Sequence, residues 1–508
     1  MIRQHDVIAE LARHSSQMGR ISAIAIVAVL YILIEIIPGR FTAVDEVAYK
    51  AAGLHWALSN TLSAPELSGF LKTGPPLDEI DFTHLPIYPL FYGLFTRAVG
   101  FGPRQCILFD AVIHVVLAII IGVFANLTMS LPASWSYGLV AAILPLGTYG
   151  RPDELGMCFG FAGLLVCGST RLSAICKGVL PAAAFGFCLA TSAGAFVFIA
   201  PLFLYRLFQQ GLAPRVRALV VLRWLLVVIL IVLASVLPIL IDHPGAYRQI
   251  EGHIGKRVGL VSVFLGERSA GQVWSEIVSA WLLAYSYVAV LAAGYAIGIA
   301  AFFVDLPSCR DLVRNLIPPT ILLSVLVLVL PDKPLYTWFV APWLMSLSLA
   351  AVARVTTALP PGRRAALCLF VVALYLTACL PYIKNKVTLL TLPSDQTLDI
   401  NVARVRRLIP PGARVMTLEY WWALADRCKV VDPMFSNVSV DDIDYAVMTG
   451  NGSGRPGVAS PFEQYEAGLA RDFTPVANYL NQHPLYIGPI RATNSAYGFG
   501  ALVLARRP

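Results

Sequence analysis

Apolar residues in this chain do not alternate or form a single helical stripe. They come in continuous runs at 21–37, 105–126, 135–150, 155–170, 223–241, 276–304, 315–331, 335–352 and 365–382. A stretch of roughly 20 mostly apolar residues is what a helix needs to cross a bilayer, so each run reads as a span. Two shorter pieces, 179–191 and 195–208, are parted by Thr191, Ser192, Ala193 and Gly194 and read as a pair of short or broken helices. The total is about eleven spans. Between the first two lies a long amphipathic loop, about 40–103, carrying Asp45, Glu46, Lys50, Glu66, Lys72, Asp78, Glu79 and Asp81. It predicts two or three interfacial helices, because its apolar piece at 86–99 is too short to cross unaided. From about residue 384 the pattern turns polar, with strand signals in IPPGARVMTLEYWW and DIDYAVMTG and an expected closing hairpin in GPIRATNSAYGFGALVLARR. The expected architecture is an α-helical polytopic membrane protein: a transmembrane domain over 1–383, then a small soluble α/β domain over 384–508.

Composition agrees. Of 508 residues, 57% are hydrophobic and 13% charged, with mean hydropathy +0.70. Soluble domains carry about 25% charged residues, so this chain lacks the polar surface to live in water. The net charge of +8 fits cytoplasmic anchoring loops and contact with anionic membrane lipid. No dense basic run with interleaved aromatics points to nucleic acid. Arg3, Arg13 and Arg20 precede the first run, and no small-residue cleavage site follows it. The first span is therefore expected to stay uncleaved, with its N-terminus cytoplasmic. Short basic loops around Arg171, Arg215, Arg310, Arg354 and Arg363 then fall inside, and an odd number of spans puts the tail on the side of the first loop. The nine cysteines show no CxxC spacing and imply neither a disulfide framework nor a zinc site.

This topology gathers polar clusters on one face. They are Asp45 with Glu46, Asp81 with His84, the run Arg151, Pro152, Asp153, Glu154, and Asp332 with Lys333. Charge next to apolar segments is costly, so convergence on one face predicts a shared polar cavity. Asp45 and Glu46 read either as the acidic start of an interfacial helix or as a general base with a neighbour that raises its basicity. Arg151 and Asp153 read either as a salt-bridged helix start or as groups orienting an acceptor and a phosphate. Lys333 reads as a snorkelling cation or as a point charge for a phosphate. The loop IDHPGAYRQIEGHIGKR adds Lys256 and Arg257, which suit a phosphate donor or lipid headgroups.

Taken in order, these motifs resemble the GT-C superfamily of membrane glycosyltransferases, and within it the bacterial relatives of dolichyl-phosphate-mannose protein mannosyltransferases and of the lipid A aminoarabinose transferase. The acidic pair after the first span matches Asp45 and Glu46. The block opening an apolar helix matches His84, Pro86, Tyr88 and Pro89, with Leu85 standing where that family has a first proline. The Arg-Pro-Asp element matches Arg151, Pro152 and Asp153, and a late Lys-x-x-Tyr matches Lys333 and Tyr336. The resemblance implies a GT-C-like fold and inverting transfer of a hexose or pentose from a polyprenyl-phosphate-linked sugar to an envelope glycan, lipid or protein. The implied setting is the periplasmic face of a bacterial inner membrane, with the tail extracytoplasmic. It implies Asp45 as base, Glu46 and Asp153 as tuning or orienting groups, and Lys333, Arg151, Arg257, Lys256, His84 and Tyr336 around the donor phosphate. Some relatives bind a divalent metal; no cluster here has a clear ligand set, so metal stays open.

The competing expectation is a membrane transporter or lipid flippase, whose signature is inverted repeats and polar groups at mid-membrane depth. No internal repeat is evident, and the ionisable residues are expected at the outer ends of spans. A scaffold with a mere anchor does not need so many spans.

Overall fold

A computed structural model of the chain describes residues 22–39, 46–62, 64, 66, 85–129, 140–141, 143–144, 150–168, 174–192, 194–196, 199–200, 203, 214–242, 269, 271–272, 275, 359–433, 438–449, 465–480, 486–487, 490–491 and 499–507. The expected spans at 276–304, 315–331 and 335–352 lie outside these residues, and those at 135–150 and 195–208 fall within them only in part.

Helix α1 covers Ser22–Ile36. The first loop contributes α2, Glu46–Ser59, and α3, Ile87–Val99. These two meet at Gly53, where a Cβ would lie 2.2 Å from the Pro89 carbonyl oxygen, so only a hydrogen side chain allows the approach. One face of α3 buries Tyr88, Tyr92 and Thr96, while Phe91 and Leu94 point outward. A short helix with an apolar outer face suits the bilayer boundary.

Helix α4 covers Pro103–Met129, α5 Pro152–Gly168, α6 Ala174–Thr191, α7 Pro214–Asp242 and α8 Pro361–Leu390. Among the described residues, the stretches Pro103–Phe124 of α4 and Ala218–Leu237 of α7 are long and apolar enough to cross a membrane. They do so differently. Helix α4 buries Cys106, Asp110, Ala111, His114 and Ala118 on one face and shows Val112, Val116 and Val123 on the other. Helix α7 buries Trp224 and Val228 and shows a broad apolar face with Leu222, Leu225, Leu226, Ile229, Leu230 and Leu233 exposed. An apolar surface of that extent is stable against lipid and not against water. Helix α6 carries Pro181 inside it and ends at Thr191, where the sequence break falls. Helices α1 and α8 are tied together by Glu35, which accepts from Tyr382 Oη at 2.7 Å and from Lys386 Nζ at 2.5 Å.

Beyond α8, α9 (Leu398–Leu408) leads into a sheet of β1 (Arg414–Met416), β2 (Lys429–Val431), β3 (Tyr445–Thr449), β4 (Phe473–Asn478) and, last in the chain, Ala501–Arg506. A separate two-stranded piece pairs β5 (Tyr486–Ile487) with β6 (Ile490–Arg491), so the last strand is β7. The order is β2-β1-β3-β7-β4, with β1 parallel to β2 and β3, and β7 antiparallel to β3 and β4. The strands expected in IPPGARVMTLEYWW and DIDYAVMTG are β1 and β3. The expected closing hairpin is not formed: β6 pairs with β5, while β7 inserts between β3 and β4. Ala501 and Val503 alternate inward and are fully buried, and an interior position covers them where a hairpin edge would not.

The sheet domain sits on the first loop and the start of α4. The Phe101 and Trp421 rings meet edge to face at 5.5 Å, and Arg104 grips the Asp399 carboxylate. Glu66 of the first loop accepts from Trp421 Nε1 at 3.0 Å and contacts His55 Nε2 at 3.0 Å, while its carbonyl accepts from the Asp432 amide.

Candidate active site

The site is built where α2, α3, α4 and α5 meet. Helix α2 opens with Glu46, and one turn later Lys50 points to the same side, as an i,i+4 pair must. Both are fully buried. Lys50 Nζ donates to Glu46 Oε1 at 2.6 Å and to Asp110 Oδ2, on α4, at 2.7 Å. Its ammonium also lies 5.4 Å from the Tyr92 ring centroid, against the negative face of the π-system. Tyr88 of α3 turns its hydroxyl to Asp110 Oδ1 at 3.4 Å. Burial, then the charges of Asp110 and Glu46, push the Tyr88 phenol well above its usual range, so it remains a donor. A buried ion group of this kind holds only as a set, since removing one partner strands another charge away from water.

The start of α5 abuts this group. Gly150 turns with φ +75°, and a Cβ there would lie 2.2 Å from Glu46 Cγ. The turn then presents Arg151, whose guanidinium lies 5.2 Å from the Tyr49 ring centroid and whose Nε donates to Asp153 Oδ2 at 3.3 Å. Asp153 Oδ1 accepts from Ser192 Oγ at 2.6 Å, and the same hydroxyl oxygen accepts from the Ala195 amide at 3.1 Å. Ser192 thus opens the break after α6, caps the helical turn that follows and steadies Asp153. Arg151 keeps 18% of its side-chain surface accessible, whereas Lys50 keeps none. Of the two cations, Arg151 is the one with accessible surface.

One turn below Asp110 on α4, His114 Nδ1 contacts Glu154 Oε1 at 3.1 Å, and its Nε2 faces the carbonyls of Ile143 and Leu144 at 3.2 and 3.1 Å. Carbonyl oxygens only accept, so Nε2 carries a hydrogen. The Nδ1 contact with Glu154 then needs a second proton, held on the ring or on the carboxyl.

Of the sequence candidates, the structure brings Glu46, Arg151 and Asp153 together. Asp45, His84, Lys256, Arg257, Lys333 and Tyr336 lie outside the described residues. Among the described residues no group of three His, Cys, Asp or Glu side chains is arranged to hold a metal ion. Sequence reasoning passed over Lys50 as one more loop charge and missed Asp110 and His114 altogether. The available signal was an aspartate and a histidine four residues apart in an apolar run, which in a span is a functional flag. It also overturns the expectation that ionisable groups keep to the outer ends of spans. Counted from Pro103 at 1.5 Å per residue, Asp110 lies about 10 Å and His114 about 16 Å along α4.

No family model matches this sequence, and no curated protein matches it. Solved structures do. The crystal structure of ArnT from Cupriavidus metallidurans bound to undecaprenyl phosphate superposes with a TM-score of 0.53 at 12% identity, covering 96% of this chain and 98% of that one. The apo form of the same ArnT gives 0.54 and 13% over the same shares. The chain has the ArnT fold. ArnT is the lipid A aminoarabinose transferase, a GT-C member, so the resemblance drawn from the motifs is borne out at the level of fold. Coverage of nearly the whole of both chains extends the ArnT likeness across the membrane helices and the tail, giving a polytopic membrane protein, mostly helical with a small sheet.

Proposed function

We propose that this chain is an inverting glycosyltransferase that moves a sugar from a polyprenyl-phosphate donor to an envelope acceptor. The observation that carries this reading is the meeting of the acidic-pair segment with the Arg-Pro-Asp turn, Glu46 against Gly150 and Tyr49 against Arg151, within the fold of a protein solved with undecaprenyl phosphate bound. In this scheme the Asp45 carboxylate takes the proton of an acceptor hydroxyl. The acceptor oxygen bonds to the anomeric carbon as the bond from that carbon to the phosphate oxygen breaks, and a single displacement inverts the centre. Polyprenyl phosphate leaves with the electron pair and stays in the membrane surface. Arg151 and Lys333 meet its growing charge, with Lys256, Arg257, His84 and Tyr336 around them. Glu46 and Asp153 orient the acceptor and tune the base. General-base help of this kind is worth about 10²–10⁴-fold, and charge stabilisation at the phosphate as much again.

The remaining assignments follow the same scheme. The chain has about eleven spans over 1–383 in a bacterial inner membrane, and an extracytoplasmic domain over 384–508 beside a periplasmic site. The sugar is a hexose or pentose, and the acceptor a glycan, lipid or protein. Among the described residues no ligand set favours a metal, and no step is routed through one. The transporter or flippase reading gains one observation, the His114 and Glu154 pair within the helical bundle. It leaves unexplained the likeness to a transferase over almost the entire length.

The test is mass spectrometry of envelope glycans and carrier lipids from cells with and without the gene. Loss of a transferase leaves a glycosylated polyprenyl phosphate to accumulate and one sugar missing from an acceptor. Unchanged carrier lipids and glycans would overturn the reading.

A further inference from the structure

We propose that Lys50 is a positioning residue of this site: its ammonium, shared between Glu46 and Asp110, fixes the first turn of α2 to α4 and so holds Glu46 against the Gly150 turn. The role rests on the transferase reading, and the geometry behind it stands by itself.

Three facts carry the argument. Lys50 is fully buried, so it reaches neither a lipid phosphate nor a headgroup, and the usual tasks of a lysine at a membrane surface are closed to it. Its two partners come from different elements. Glu46 lies one turn back on the same interfacial helix, and Asp110, sixty residues away, sits in a membrane helix. Glu46 is also the side chain that meets Gly150, and the turn beginning there carries Arg151 and Asp153. The path is therefore continuous, from α4 through Asp110, Lys50 and Glu46 to the α5 turn. Two motifs about a hundred residues apart in sequence are brought into register by a cation that belongs to neither.

Among the described residues, the groups facing Lys50 and its partners include Glu46 on α2, Tyr88 and Tyr92 on α3, Cys106, Phe109 and Asp110 on α4, and the Gly150 turn before α5. Two carboxylates share one ammonium, so the lysine cannot leave without setting like charges against each other in a site closed to water. A shift of α2 by a fraction of an ångström follows, carrying with it the segment that begins at Glu46. Displacement on that scale acts on turnover, because reacting groups lose rate steeply when misplaced, while the donor phosphate, held by other cations, is bound as before.

The experiment compares full-length wild type, Lys50→Met and Asp110→Asn in lipid nanodiscs. It reads amide hydrogen exchange, affinity for polyprenyl phosphate, and turnover. In Lys50→Met the amides of 50–54 and of 156–157, which bond back to the first turns of α2 and α5, are expected to exchange together about tenfold faster, with β1, β3 and β7 unchanged. Turnover is expected to fall about 10²-fold while affinity for polyprenyl phosphate stays within about threefold. Wild-type exchange at 156–157 in folded Lys50→Met overturns the proposal. So does a loss of affinity equal to the loss of turnover, which would make Lys50 a phosphate ligand. If Lys50→Met yields no folded protein, Asp110→Asn decides, because it keeps the neutral Lys50 and Glu46 pair and removes only the charge on α4. Faster exchange in both segments supports the tether, and unchanged exchange sinks it. If the wild type transfers no sugar, the transferase reading falls, and the exchange arms still decide the role of Lys50.

Discussion

Glu46 and Gly150 touch so closely that neither position has room to spare: Gly150 turns at φ +75°, and a Cβ on it would lie 2.2 Å from Glu46 Cγ. The left-handed backbone and the contact act on the same residue, so alanine is excluded twice. Gly150→Ala is expected to cost more than about 1 kcal/mol of stability and to lower turnover by pushing Glu46 away from the turn. Differential scanning fluorimetry and a transfer assay on the same preparation check it. A variant that melts and works like wild type would show the contact to be slack.

Base and phosphate roles separate in kinetics. Asp45→Asn is expected to lower transfer at least about 100-fold while binding of the donor lipid survives. Lys333→Ala is expected to weaken binding of polyprenyl phosphate more than it slows turnover of the bound donor. Near wild-type turnover of Asp45→Asn removes the base assignment, and an unchanged affinity removes Lys333 from the phosphate site.

Ser192 serves two structures through one hydroxyl, donating to Asp153 and accepting from the Ala195 amide. Ser192→Ala therefore loses a helix cap, about 1 kcal/mol, and also frees Asp153 to rotate. Turnover should fall by more than the loss of folded protein explains. A fall matched by the folded fraction alone would leave Asp153 no dependence on Ser192.

His55, Glu66 and Trp421 join the first loop to the sheet domain, and the joint titrates. Burial lowers the His55 pKa, but the hydrogen bond and charge of Glu66 outweigh it, so the net shift is upward from 6.5. A raised histidine contributes stability that is fully present below the unfolded value and is lost as pH rises through the folded one. The melting advantage of wild type over His55→Gln should be largest below pH 6.5 and shrink as pH rises through the raised folded value. A constant gap would show that His55 is not charged in the fold.

Glu419 behaves in the opposite sense to an ordinary carboxylate. Burial raises its pKa from 4.5 to about 7. The folded state thus binds a proton that the unfolded chain has already released, and the contribution of Glu419 falls as pH rises from 4.5 to about 7. Glu419→Gln, which mimics the protonated form, should gain on wild type across that interval and hold its lead above it. Melting curves across the pH range read this directly, and parallel curves would contradict it.

Much of the architecture was legible because it rests on local pattern. The apolar runs behind α4, α5, α7 and α8, the short interfacial α2 and α3, the break after Thr191 and the strands β1 and β3 all follow from hydropathy and turn residues. Glu46, Arg151 and Asp153 were legible because charge at the edge of an apolar run is costly and draws notice. The place of β7 was not, since strand order depends on which neighbours cover Ala501 and Val503 and no local signal encodes that.

Hydropathy and motif order alone established a many-span membrane chain with a polar tail and an acidic pair, an Arg-Pro-Asp element and a late lysine in sequence. Only the folded molecule decided which of the described groups meet. Lys50 is one charge among many in the first loop until Asp110 reaches it from α4, and Ser192 is a break residue until Asp153 takes its hydrogen bond. The physical reason is that a buried charge is specified by its partner, and these partners are 60 and 39 residues away in sequence, beyond any local pattern.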